Sequence, residues 1–293
     1  MLTTTSDRRN RRAATQNLLF NLALTVLKIG IGVIGRSQAL IADGVHSGAD
    51  VLSSIAVVVG LAGAGRPPDA GHHYGHAKAE AISQNVVATL LLLAGLELAN
   101  SAIHGLTHPG APPSWLTLAV ALAAMVPKGV MAVTQRRLAK RTGSHGILAA
   151  AVDNQMDAAS SLAAGLGIWA DRMGFAQGDS VAALVVALLV MWAGIDVFRT
   201  AANDLMDPAA DAGTQEAIRG AALAVVGVRA VSSLRTRQHG AGVLVDMEIE
   251  VSPRLSLVDA HDIAHAVQDS VTNLDRVRGV MVHVNPDRED ERS

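Results

Sequence analysis

Half of the 293 residues are hydrophobic and 17% are charged, well below the roughly 25% of an ordinary soluble domain, which excludes a wholly soluble globular chain. A formal net charge of -2 leaves no basic footprint for nucleic acid, and the lack of cysteine excludes disulfides and thiolate metal sites. Residues 13–200 are poor in charge while 201–293 have ordinary polarity, so the length divides into a membrane part and one small soluble domain.

Residues 1–12 form a basic segment with Arg8, Arg9, Arg11 and Arg12. The apolar run from Ala13 to Ile34 is longer than the about 7–15 residues of a signal-peptide core, and predicts a first membrane helix with a cytoplasmic start. About 20 apolar residues cross a bilayer. Runs of that kind predict further spans at 38–64, 80–105, 115–135, 145–170 and 179–199. Polar residues interrupt these spans: Asn17, Asn21 and Lys28 in the first, Asp43, His46 and Asp50 in the second, Glu97 in the third, Lys128 in the fourth, Asp153 and Asp157 in the fifth. A helix facing lipid all round does not carry such groups, whereas a bundle around a wet cavity does. Glu97 reads as an end-of-helix residue, Lys28 as snorkelling or pairing inside the bundle, and Pro127 as a kink in the fourth helix. Lysine and arginine concentrate at the N-terminus, at Arg66 and Lys78, and at Arg136, Arg137, Lys140 and Arg141, while 107–114 has neither; this bias places both termini in the cytoplasm.

From Asp207 the pattern changes. A helix is predicted at 213–226, strands at 229–237 and 243–251, a helix at 257–274 and a closing strand at 277–284. The predicted fold is an α-helical bundle of six transmembrane helices (13–206) followed by a small two-layer α+β domain (207–293) of order α-β-β-α-β.

The second span carries His46 and Asp50 four residues apart, hence on one helix face, with Asp43 nearly on the same face as an accessory candidate. The fifth repeats the spacing with Asp153 and Asp157. Two helices that each present such a pair close four ligands around one divalent cation. Three carboxylates crowded in low dielectric repel one another, and a bound dication offsets that repulsion.

The stretch Ala39–Asp50, the loop His73-Tyr74-Gly75-His76-Ala77-Lys78-Ala79-Glu80, the Asp153–Asp157 pair and the tail segments Leu234-Arg235-Thr236-Arg237 and Val282-His283-Val284 together resemble the cation diffusion facilitator transporters. The resemblance covers nearly the whole chain. It implies export of a divalent metal through the tetrad in exchange for protons, by alternating access, in a homodimer with a ferredoxin-like cytoplasmic domain. The short-loop layout implies a bacterial inner membrane. By position, the resemblance also implies a loop metal site at Asp69, His72 and His76, with His73 spare. Among the cytoplasmic candidates His239, Glu248, His261, His265, His283 and Asp287, it implies ligand roles for His283, Glu248 and His261, and it implies a Lys78–Asp207 link between the membrane and cytoplasmic parts. Zinc members commonly hold histidine at the position of Asp153. The oxygen here makes the site harder and moves it towards manganese or iron, although the general affinity order keeps zinc first, with cobalt and cadmium also possible. The competing expectation is a membrane-embedded metal sensor or assembly factor that binds without transport. A membrane metalloenzyme is disfavoured, since there is no His-Glu-x-x-His or Gly-x-Ser-x-Gly motif.

Overall fold

The computed structural model describes residues 5–142 and 145–287. Six long helices come first: α1 (Thr5–Ile34), α2 (Gln38–Ala64), α3 (Ala79–Thr107), α4 (Trp115–Thr142), α5 (His145–Arg172) and α6 (Gly178–Leu205). They are followed by α7 (Ala212–Leu223), β1 (Ala230–His239), β2 (Gly242–Val251), α8 (Leu257–Thr272) and β3 (Val277–Pro286). Helix α1 starts upstream of the predicted Ala13; Met1–Thr4 and the side chains of the basic segment lie outside the described residues. Glu97 is not at a helix end: it lies well inside α3, exposed on its surface.

Among the described residues, four helices are long and apolar enough to cross a membrane, namely α2, α3, the Trp115–Leu138 part of α4, and α6. Helix α1 offers the shorter apolar stretch Leu18–Ile34. Helix α5 falls below the same measure; it carries Asp153, Asn154, Gln155 and Asp157 within its length. Large apolar side chains such as Val26, Val58, Leu93 and Val126 face outwards, while the shared core of α2–α6 is built largely from Ala39, Ala42, Ala102, Ala121, Ala164 and Ala183. Small residues inside and large ones outside are the arrangement expected when lipid is the solvent and helices attach by close approach. Gly44 shows the same economy of space: a Cβ there would lie 3.1 Å from Lys28 Cβ and from the Ile29 amide nitrogen of α1.

The start of α2 is fixed by a residue from another helix. Asp179, at the beginning of α6, accepts hydrogen bonds from the Gln38 amide at 2.6 Å and from Ser37 Oγ at 2.6 Å. Ser37 Oγ itself accepts from the Leu40 amide at 3.1 Å. Free amides at a helix start favour a carboxylate, and this one sets the axial position of α2, which carries His46 and Asp50.

The described residues form two compact units, one running to Val58 and from Gln84 to Phe198, the other holding Val59–Ser83 and the chain from Arg199 onward. In the second unit the sheet order is β1-β2-β3, with β1/β2 antiparallel and β2/β3 parallel. Strand β2 turns Val243, Val245, Met247, Ile249 and Val251 into a core shared with Ile218 of α7 and Val267 and Val271 of α8. The period-2 pattern leaves Leu244, Asp246, Glu248 and Glu250 on the opposite face. Strands β1 and β3 outlast their predicted ends because pairing with β2 continues to His239↔Gly242 and Val251↔Pro286.

Candidate metal site

The α2 and α5 pairs meet inside the first unit. His46 Nε2 lies 3.9 Å from Asp157 Oδ1. The Asp50 carboxyl lies against that of Asp157 and within electrostatic reach of Asp153. Asp157 is buried, whereas Asp153 is exposed on α5. The four groups therefore share one region without closing into a tight cluster. Among the described residues, the group of three or more His or carboxylate donors lying within 4.8 Å of one another is elsewhere, in the α2–α3 loop.

Two lysines enter this interior. Lys128 Nζ, from α4, donates to Asp157 Oδ2. Among the described residues, no amide, hydroxyl or ammonium donates to Asp157 Oδ1, which lies on the His46 side. Lys28 Nζ, from α1, lies 2.8 Å from Asp43 Oδ2 and donates to Ser47 Oγ of α2 and Ser161 Oγ of α5, each at 2.9 Å. Lys28 thus pairs inside the bundle and does not snorkel. Asp43 balances Lys28, which takes it out of the donor set where the sequence placed it as an accessory ligand.

In the second unit, donor atoms of Asp69, His72 and His76 lie within 4.8 Å of one another. His72 Nδ1 is 3.3 Å from Asp69 Oδ1, and His76 Nε2 is 3.4 Å from Asp69 Oδ2. The amides of Gly71 and His72 donate to Asp69 and hold its carboxyl below the usual carboxylate range. The same loop docks on the small domain: Lys78 Nζ is 2.8 Å from Asp207 Oδ1, the Tyr74 carbonyl lies 2.8 Å from His239 Nε2, and the Arg237 guanidinium stacks 5.1 Å from the Tyr74 ring centroid.

The cytoplasmic-domain ligand set does not assemble within one chain. Glu248 and His283 are register partners on β2 and β3, on the sheet face away from the helices, and Asn285 Nδ2 donates to Glu248 Oε2 at 3.0 Å. Asp287 is paired with Arg229 at 2.8 Å. His261 is exposed on α8, the helix that covers the other sheet face, and it meets His265 instead, with Nε2 atoms 3.1 Å apart. The helix layer and the sheet lie between His261 and the Glu248–His283 face.

Residues 15–206 match the cation efflux transmembrane domain, and residues 210–287 match the cytoplasmic domain of cation efflux proteins. The chain belongs to the cation diffusion facilitator family. It is 30% identical over 285 residues to the manganese efflux system protein MneP of Bacillus subtilis (strain 168), covering 94% of this chain and 96% of that one. The manganese efflux system protein MneS of the same organism is 31% identical over 266 residues, covering 90% and 91%. The magnetosome protein MamM of Paramagnetospirillum magneticum is 36% identical over 266 residues, covering 87% and 81%. As a cation diffusion facilitator, this chain is an integral membrane protein that transports metal cations, and the family is one of transporters, not enzymes.

Sequence reasoning missed two residues of this facilitator's interior. Lys128 was visible as an intramembrane charge, but nothing in α4 alone indicates that its partner is Asp157. Asp179 is the first residue of the predicted sixth span, and its role at α2 depends on a contact between residues 141 positions apart.

Proposed function

We propose that this chain exports a divalent cation, with Mn2+ first, through His46, Asp50, Asp153 and Asp157, in exchange for protons. The observation that carries the reading is Asp157 Oδ1: a buried oxygen that faces an imidazole nitrogen at 3.9 Å and, among the described residues, accepts no hydrogen bond from an amide, hydroxyl or ammonium, on a carboxylate that lies against that of Asp50. Such an oxygen is satisfied by a cation shared with its neighbours, and both a proton and a metal ion serve. Binding one releases the other, which is the chemistry of antiport.

One imidazole and three carboxylates form a harder donor set than thiolates or several imidazoles, and it suits manganese. Relatives described as manganese efflux proteins support that order, ahead of the zinc preference that affinity alone suggests. Iron, cobalt and cadmium remain substrates to test. The reading extends to a homodimer in a bacterial cytoplasmic membrane with both termini inside. The Asp69–His72–His76 loop site and the Glu248–His283 face bind metal as regulators.

The test is uptake by proteoliposomes containing a pH-sensitive dye, with Mn2+, Fe2+, Co2+, Zn2+ and Cd2+ compared. Wild type should take up Mn2+ and move protons in the opposite direction, and Asp50→Ala and Asp157→Ala should each abolish both signals. Wild-type uptake by either variant would remove the tetrad from the transport path. Binding without uptake by the wild type would point to the membrane-embedded sensor.

A further inference from the structure

The two buried lysines are neutralised in different ways. Lys28 has a carboxylate outside the ligand set, Asp43, and two hydroxyls besides. Lys128, 1% exposed, is paired with Asp157, which is itself a ligand. Its charge also reaches Asp50 and Asp153.

We propose that Lys128 is a fixed cation of the transport site: it holds Asp157 through Oδ2 so that only Oδ1 is offered to the metal, and it sets the affinity low enough for release. The inference rests on the tetrad reading above. Geometry supports the first half, because Nζ occupies one oxygen of Asp157 and leaves the other towards His46. Electrostatics supports the second. Three carboxylates carry one more negative charge than a dication neutralises, and Lys128 supplies the missing positive charge. Without it the loaded site is anionic within a low-dielectric bundle, and the emptied site, with one more uncompensated negative charge, holds the cation back more strongly. A lysine suits this task better than an arginine, since a compact ammonium on a flexible stem engages one oxygen and leaves the other free, whereas a planar guanidinium takes both.

The experiment compares Mn2+ binding and Mn2+ uptake for the full-length protein in detergent and in liposomes. Lys128→Met and Lys128→Gln should bind Mn2+ more tightly by on the order of tenfold or more, since even water-like screening leaves that much between a dication and a unit charge a few ångströms away. Their uptake rate at saturating Mn2+ should fall several-fold, because the product cation leaves more slowly. Lys128→Arg keeps the charge but takes both oxygens of Asp157, so it should bind Mn2+ more weakly than wild type and also lose rate. Asp50→Ala serves as the control for the tetrad. If Asp50→Ala loses Mn2+ binding while both neutral Lys128 variants bind as wild type or more weakly, the fixed-cation role is overturned and the tetrad stands. If Asp50→Ala binds Mn2+ normally, the tetrad fails and the Lys128 proposal fails with it. Gln retains a hydrogen bond to Asp157 without the charge, so should Lys128→Met not assemble, the Gln variant decides the same question.

Discussion

Asp43→Ala separates a structural ion pair from a metal ligand. Lys28 and Asp43 have fully buried side chains 2.8 Å apart. Removing one partner of a buried pair costs about 3–5 kcal/mol, because the remaining charge stays in a medium that cannot solvate it. Ser47 and Ser161 still receive hydrogen bonds from Lys28, so the loss belongs at the low end, about 3 kcal/mol. In a helical unit of this size that corresponds to a melting temperature lower by roughly 6–12 °C. The assay is thermal unfolding in mild detergent, followed by size-exclusion chromatography, with and without Mn2+. The double variant Lys28→Met with Asp43→Leu should recover most of the stability, since apolar residues of similar volume often replace a buried pair at little cost. It should also retain the stabilisation by Mn2+, about 2.7 kcal/mol at a hundredfold excess over Kd. A stable double variant that no longer responds to Mn2+ would make Asp43 a ligand after all. An Asp43→Ala protein that melts with the wild type would refute the ion pair.

Asp179→Ala should lower stability by about 1–2 kcal/mol, the usual cost of uncapping a helix, with Asp179→Asn intermediate; thermal melts in detergent check it. Asp153→His exchanges an oxygen donor for a nitrogen and should shift liposome uptake towards Zn2+ and Cd2+ over Mn2+; an unchanged ranking would mean that geometry decides. Asp207 is held below the usual carboxylate range by its hydrogen bond from Lys78. A depressed value means that the contact is present above the ordinary carboxylate range and is lost only as pH falls through the lowered one, so protease protection of residues 66–79 should be equal at pH 7 and pH 5 and fall in Lys78→Ala. Because both groups are partly exposed, the effect should be small.

The parts of this molecule legible in the sequence are those with a local period. Six apolar runs give six helices, alternation in Val243–Val251 gives β2, and four-residue spacing puts His46 with Asp50 and Asp153 with Asp157. What was illegible depends on pairing between distant elements. The sequence shows two lysines and several aspartates in apolar helices, but not that Lys28 takes Asp43 while Lys128 takes Asp157. The separation of His261 from Glu248 and His283 within one chain follows from two local periods. Odd-numbered residues of β2 are apolar and so face the helices, which puts Glu248 on the open face. Ile263 and Val267 of α8 face the core, and His261 falls on the outer side of that helix. Both periods were available, and together they separate His261 from Glu248 and His283.

The pairing also fixes an expectation for the exchange ratio. Around the site stand four carboxylates, Asp43, Asp50, Asp153 and Asp157, and two ammonium groups, Lys28 and Lys128. With His46 neutral, that leaves two negative charges without a partner. One dication removes them, and so do two protons. A bundle interior tolerates net charge poorly, so both end states of the cycle favour neutrality. The expected stoichiometry is therefore two protons for each metal ion, and the exchange should be electroneutral. Liposomes loaded with potassium and treated with valinomycin impose a membrane potential without changing the pH gradient. Mn2+ uptake should be insensitive to the sign of that potential, while an opposing pH gradient should slow it. If an imposed potential accelerates uptake in one direction and slows it in the other, net charge crosses in each cycle. Either His46 then carries a proton in one end state or one of the two lysines is not a permanent cation of the site, and Lys128, whose partner is a proposed ligand, is the one to replace first.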